Sequence, residues 1–283
     1  MEFLKHKDVC LPLIGFGSWQ IGDDPSQEAK EVEAIQTAIK EYDMCLLDTA
    51  EMYGEGKSEL VIGKAIKSLE RTSLFIVGKI LPQNAILGKY EECCRNSLKR
   101  LGINFFDLYL LHWKSHVPLQ EMVDAMEHLK SLGLIKHWGV SNFDTNEMEE
   151  LFKCKNGNKC FTNQVLYNIR SRGIEYDLIP WCVKNNVLVM AYSPLCNNSF
   201  LRNEVCEKKD IIRIAQEEDK TLNSLMLSFV IQNRKIITIF KTANIEHLQD
   251  NMKNVFDKIS NKHLEEINEI YPFPTSKIPL EKI

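Results

Sequence analysis

Short apolar, β-branched runs bounded by turn residues alternate along the chain with stretches of helical periodicity. Eight strands are expected, at residues 13–17, 44–48, 74–79, 106–112, 137–141, 161–166, 187–193 and 236–241. A helical pattern follows each. After the fourth strand, Leu119, Met122, Val123, Met126 and Leu129 fall on one helix face. After the fifth, Asp144-Thr145-Asn146-Glu147 precedes Met148, Leu151 and Phe152, a capping box before an apolar stripe. After the sixth, Pro180 must lie in the first helical turn, so that helix is expected to start near Asp177.

Eight β-then-α units in series imply an α/β fold, a (β/α)8 TIM barrel closed by a parallel sheet. The competing solution is an open doubly wound sheet. No G-x-G-x-x-G follows the first strand, where only Gly15 and Gly17 stand. Two segments fall outside the alternation. Residues 204–217 predict an extra helix in the seventh loop region. Residues 264–270, followed by Pro272, Pro274 and Pro279, predict a short C-terminal extension. With no linker and no low-complexity tract, residues 1–283 read as one domain.

At 44% hydrophobic and 26% charged residues, a packed globular chain is expected rather than a disordered one. Lys and Arg number 35 against 39 Asp and Glu, a net charge of −4, which is no footprint of a nucleic-acid binder. Lys208-Lys209 is flanked by Glu207 and Asp210 and reads as solvated surface. The longest apolar runs, such as 187–195, are strand-sized, far short of the ~20 residues a membrane span needs. The charged first residues carry no signal-peptide core. Nine cysteines without a C-x-x-C read as reduced thiols, and a cytoplasmic location is expected.

In such a barrel, chemistry collects at the C-terminal ends of the strands. The second strand ends in Asp48, and Tyr53 stands in the loop beyond. The third ends in Lys79 and the fourth in His112-Trp113. The fifth ends in Ser141-Asn142, the sixth carries Asn163 and Gln164, the seventh ends in Tyr192-Ser193, and the eighth in Lys241-Thr242. A carboxylate, a phenol, an ammonium and an imidazole therefore converge on one rim. A nearby Lys cation is expected to lower the Tyr pKa from its usual value near 10, with a carboxylate holding the Lys in place. Such a set suits protonation of an oxygen that is becoming an alkoxide, the need of carbonyl reduction. Singly, each residue has an ordinary reading as a cap, a solvated strand end, a loop aromatic or a core histidine. His112 and His116 are spaced as zinc ligands on a helix would be, but they fall in a loop with no third ligand, so no metal is expected.

Barrels often bind phosphate at the loops after strands seven and eight. Lys241-Thr242 sits there, before the helix-like Asn244-Ile245-Glu246-His247-Leu248, where a helix N-terminus would also suit an anion. Tyr192 suits stacking on a flat ring, and Ser141, Asn142 and Gln164 suit an amide. Taken alone, Ser141 and Asn142 read equally as turn residues and Tyr192 as core.

At these residues the chain resembles the aldo-keto reductases, from Gly15-Phe16-Gly17-Ser18-Trp19 to Asn251. Asp48-Thr49-Ala50-Glu51-Met52-Tyr53-Gly54, with Ser58-Glu59 and Gly63, is similar to the family's first signature. Leu101-Gly102 through Asp107-Leu108-Tyr109-Leu110-Leu111-His112-Trp113 resembles its second region. Gly139-Val140-Ser141-Asn142-Phe143 resembles the segment after strand five. Lys241-Thr242 with Asp250-Asn251 resembles the third signature. The run from Arg172-Gly173-Ile174-Glu175-Tyr176 to Trp181 resembles the bacterial-type branch.

The resemblance implies a tetrad of Asp48, Tyr53, Lys79 and His112, with Tyr53 as proton donor. It implies that Ser141, Asn142 and Gln164 hold a nicotinamide amide, that Tyr192 stacks on its ring, and that Lys241 and Thr242 meet the 2′-phosphate of NADPH. Ser18, Trp19, Ser193, Leu195, His247, Asp250 and Asn251 complete the implied cofactor set. Trp19, Met52 and Trp113 would line the substrate pocket. A His at the fourth tetrad position points to aldehyde and ketone reduction rather than double-bond reduction. His247 stands where many members carry an Arg, and a neutral imidazole holds phosphate less well than a guanidinium, which leaves room for NADH. The short loop after strand four and the short tail predict an open pocket that takes a broad range of small carbonyl compounds. A monomer is expected. The alternative is a nicotinamide-sensing subunit with slow residual reductase activity.

Overall fold

The computed structural model describes residues 1–86, 88–196 and 199–282. An antiparallel hairpin, β1 (Phe3–His6) and β2 (Val9–Pro12), opens the chain. The next strands are β3 (Ile14–Gly17), β4 (Leu46–Asp48), β5 (Phe75–Ile80), β6 (Phe106–Leu111), β7 (Ile135–Ser141), β8 (Thr162–Leu166), β9 (Leu188–Tyr192) and β10 (Ile236–Phe240). They pair in parallel and close a barrel in the order β10-β3-β4-β5-β6-β7-β8-β9. Each lies within two residues of its expected bounds. Nearly every residue of these strands is buried, as a sheet covered on one face and filled on the other requires.

The helices, in chain order, are α1 (Glu28–Tyr42), α2 (Lys57–Ile66), α3 (Tyr90–Leu101), α4 (Leu119–Ser131), α5 (Thr145–Lys153), α6 (Leu178–Lys184), α7 (Ser199–Glu207), α8 (Lys209–Glu217), α9 (Leu222–Ile231), α10 (Ile245–Met252) and α11 (Asn261–Ile270). The Asp144 capping box is formed at α5, and α6 starts after Asp177 with Pro180 in its first turn. α4 buries Met122, Val123, Met126 and Leu129, the expected stripe.

Two features depart from expectation. The extra helical stretch is two helices, α7 and α8. They are separated at Lys208, whose backbone is extended (ψ 107°). The hairpin was not foreseen, because its strands mix charged residues with Phe3 and Leu4. It lies against the N-terminal side of β8. The His6 ring meets Phe161 edge-on at 4.8 Å between centroids, and Lys7 Nζ donates to the Cys160 carbonyl at 3.0 Å. With that mouth covered, the opposite mouth is the one open to a ligand.

Candidate active site

The strand register aims the central residues. Asp48 lies beside Val77 on neighbouring strands β4 and β5. Parallel neighbours share a face and side chains alternate along a strand, so Lys79, two residues past Val77, points the same way one layer nearer the C-terminal mouth. The Lys79 ammonium is completely buried and uses three donors. They go to Asp48 Oδ1, to the Thr49 carbonyl at 3.1 Å and to the Tyr53 hydroxyl at 3.2 Å. Across the barrel, Gln164 Nε2 donates to Asp48 Oδ2 at 2.8 Å. The carboxylate is thus fixed from β5 and β8 at once.

Tyr53 reaches Lys79 from a tight turn after β4. Gly54 (φ +58°), Glu55 (φ +56°) and Gly56 (φ +88°) run in left-handed conformation, two of the three being glycine. A hydroxyl cluster fixes this turn to the first loop, with Ser58 Oγ donating to Ser18 Oγ at 2.6 Å. His112, just past β6, stacks on Trp113 at 3.9 Å and meets the Tyr53 ring edge-on at 5.7 Å.

Burial sets the protonation states. It raises Asp48, while Lys79 and Gln164 pull the carboxyl back. Lys79 resists burial through Asp48 and Tyr53 and stays charged above 10.5. The His112 imidazole is pushed down to about 2 by burial and by the Lys79 charge, so it is neutral. Tyr53 is raised above 10.0 by burial, which outweighs the opposing Lys79 charge. Lys79 pulls the phenol pKa down as expected, but burial outweighs it and the net direction is upward. Asp48 opposes the ammonium's pull on the phenol.

These residues open onto a cavity of about 530 Å³ at the C-terminal mouth. Asp48, Tyr53 and His112 line it, and Lys79 sits behind them, within hydrogen-bond reach of the Tyr53 hydroxyl. Ser18, Trp19, Met52 and Trp113 line the sector of β3, β4 and β6. Ser141, Asn142, Gln164 and Tyr192 line the sector of β7, β8 and β9, bound to one another. Ser141 Oγ donates to the Gln164 carbonyl at 2.8 Å, and the Tyr192 hydroxyl donates to Asn142 Oδ1 at 2.7 Å. Asn142 and Ser193 sit at φ +61° and +51°, left-handed conformations for non-glycine residues, clustered at this rim. Ser193, Leu195, Lys241, Thr242, His247 and Asn251 complete the wall near β9 and β10.

Asp250 does not belong to that wall. It is exposed, because one step of about 100° along α10 turns it away from its neighbour Asn251. The α10 N-terminus also differs from expectation. Asn244 Oδ1 accepts from the Glu246 and His247 amides at 2.7 and 3.2 Å, so the helix spends those donors on its own cap. An anion there would be met by side chains. Gln20, Cys196, Arg202 and Asn223 also line the cavity and were not anticipated. Arg202 rides on α7 and Asn223 on the first turn of α9. No local pattern announces that either faces a rim built from other units.

Among the described residues, no group of three or more His, Cys, Asp or Glu is placed to hold a metal ion. Nor is any helix among them long and apolar enough to cross a membrane.

Known proteins share this fold. The model of the aldo/keto reductase family matches residues 13–272. The chain is 42% identical over 276 residues to methylglyoxal reductase YeaE of Escherichia coli (strain K12), covering 98% of this chain and 96% of that protein. It is 30% identical over 218 residues to the NADH-specific methylglyoxal reductase of the same organism, covering 68% of this chain and 66% of that one. An aldo/keto reductase from Klebsiella pneumoniae, crystallised in complex with NADP and acetate, superposes with a TM-score of 0.94 at 40% identity. That match covers 98% of this chain and 97% of that one. A match that runs from the first barrel strand past the last helix of the barrel leaves one conclusion: this chain belongs to the aldo/keto reductase family.

Proposed function

We propose that this chain reduces small aldehydes and ketones to alcohols with NADPH, and that Tyr53 delivers the proton. One observation carries the reading. A wholly buried ammonium, Lys79, is hydrogen-bonded at once to a carboxylate and to a phenol that faces the cavity. An ion pair kept only for packing has no use for a phenol at an open rim.

The residues fit a nicotinamide dinucleotide. Gln164 spends its amide nitrogen on Asp48 and keeps Oε1 as an acceptor, with Ser141 Oγ beside it, which suits the amino group of a carboxamide. Asn251 Oδ1 is buried without a partner, an acceptor awaiting a donor. Lys241, Thr242 and His247 offer a cation, a hydroxyl and an imidazole to a phosphate. The NADP complex of the Klebsiella pneumoniae relative supports this assignment. The NADH-specific relative and the absence of a guanidinium at His247 support some use of NADH.

NADPH, when bound, supplies the hydride. The chain supplies the rest. Tyr53 is protonated at neutral pH, and a phenol is a far stronger acid than an aliphatic alcohol, so its proton passes readily to a forming alkoxide. Lys79 stabilises the phenolate left behind, and Asp48 with Gln164 keeps Lys79 aimed. His112 is neutral and its Nδ1 is buried, so it presents its Nε2 edge to the cavity and orients the carbonyl oxygen without adding a charge. Trp19, Met52 and Trp113 give the substrate an apolar wall. The relative named methylglyoxal reductase supports small, reactive carbonyl compounds as substrates.

The test is Tyr53→Phe, which removes the proton and leaves the ring. Turnover of methylglyoxal should fall by roughly 10²–10⁴-fold, while NADPH still quenches tryptophan fluorescence with the wild-type Kd. Full turnover in that variant would overturn the mechanism.

A further inference from the structure

The mouth of the barrel contains a cation that the chemistry above does not use. Arg202, on α7, lines the cavity and is half-buried. Its Nη1 donates to the Leu195 carbonyl at 2.7 Å and its Nη2 to Asn223 Oδ1 at 2.8 Å. Both partners are neutral, and both line the same cavity. Among the described residues no carboxylate pairs with Arg202. The nearest acidic residue on its helix, Glu204, is taken by Arg170, whose Nε lies 3.1 Å from each carboxylate oxygen. Every other arginine of the chain pairs with a carboxylate, as Arg172 does with Glu175 and Arg100 with Glu59.

A guanidinium drawn partly out of water without a counter-ion is costly. Here it is also aimed, because two of its N–H groups are fixed by neutral acceptors while the remaining donors stay available. Lys241 is the other permanent cation of the lining, supplied by the end of β10, and Lys79 is sequestered by Asp48. Two cations on the β9 and β10 side of the cavity suit a ligand that carries several negative charges.

We infer that Arg202 is a phosphate ligand of the dinucleotide, presented by the additional helix α7 to the cavity that Lys241 also lines. The inference rests on the proposed use of a nicotinamide dinucleotide. α7 lies outside the βα alternation, and this gives it a function: it carries a guanidinium to a rim whose own units offer only Lys241 and His247. Because Arg202 also holds the Leu195 carbonyl, a phosphate on its free edge would tie the β9 loop to the cofactor.

The test is fluorescence titration of the full chain with NADPH and with NADH, for wild type, Arg202→Met and Asn223→Ala, at low and at high salt. Arg202→Met should weaken NADPH binding roughly tenfold or more, the effect of one charge-assisted hydrogen bond. It should also flatten the salt dependence of binding, which a simple loop pin would not change. Asn223→Ala removes one of the two acceptors that aim Arg202 and keeps the guanidinium, so it should retain the wild-type salt dependence. Equal losses for NADPH and NADH place Arg202 on the bridging phosphates, and a loss confined to NADPH places it on the 2′-phosphate. Arg202→Lys covers the case in which the Met variant does not fold. It keeps the charge and loses the fork, so it should keep the salt dependence with weaker binding. Unchanged affinity in Arg202→Met, or a wild-type salt dependence in it, would overturn the assignment. A wild type that binds neither dinucleotide would instead defeat the functional reading beneath it.

Discussion

Among the described residues no carboxylate holds a proton on His112, and both burial and the Lys79 charge disfavour its cation. Tyr53, raised above 10.0, keeps its proton across the neutral range. The pH profile follows from these two states. In the proposed mechanism reduction consumes the Tyr53 proton, so its rate should stay level through pH 6.5, where an ordinary histidine titrates. It should fall only in alkaline solution, as the phenol ionises. Oxidation of the alcohol needs the phenolate and should rise with pH. Initial rates of methylglyoxal reduction across pH 5–10 would check this. An inflection near 6.5 that vanishes in His112→Gln would contradict a neutral imidazole. Most of these residues are legible in the sequence because they end strands, where alternation fixes their direction. Arg202 and Asn223 are not, because their approach to the cavity depends on how α7 and α9 pack on the barrel. The direction of the Tyr53 pKa is also hidden, since it turns on burial and on how far Asp48 cancels Lys79.

Arg172 ties three elements together. Its guanidinium donates to both oxygens of Glu175 at 2.9 and 2.8 Å, to Asn268 Oδ1 at 2.9 Å and to the Tyr271 carbonyl. The Phe229 and Phe273 rings flank it at 5.1 and 4.2 Å. The segment after β8 is thereby clamped to α9 and to the end of α11. Arg172→Ala would leave the Glu175 charge buried and the Tyr271 carbonyl without this donor. A cost of about 3–5 kcal/mol is expected, which lowers Tm by roughly 6–15 °C in a chain of this size. Arg172→Lys should recover little, because one ammonium cannot reproduce the fork. A shift under about 2 °C by calorimetry would show the clamp to be dispensable. Other elements were set locally. The Asp144 box and the α4 stripe are short-range signals and appear as expected. The break at Lys208 and the β1–β2 hairpin have no such signal. No Gly or Pro marks the first. The second gains its stability from Phe161 and Cys160, more than 150 positions away.

The molecule keeps its two mouths distinct. The hairpin covers one. At the other, among the described residues no cavity-lining residue comes from beyond Asn251, so the described part of the C-terminal tail builds none of the wall. The tail instead lies along the starts of α5 and α6. Lys277 pairs with Asp144 at 3.0 Å and with Asp177 at 2.9 Å, and a Cβ at Gly173 would stand only 2.8 Å from the Ile278 side chain. The walls proposed to face the substrate, Trp19 and Met52, remain 45% and 37% exposed. An exposed wall gains little from each added methylene, because that group leaves only part of its surface out of water. Even an enclosed apolar pocket separates neighbouring homologues by only about 10–200-fold. Across straight-chain aldehydes of increasing length, kcat/KM should therefore change by less than about tenfold per methylene, with no sharp cut-off. Steady-state kinetics on such a series, with NADPH saturating, reads this directly. Activity confined to one bulky carbonyl compound would mean that a wall closes over the substrate, and would refute the open-pocket reading.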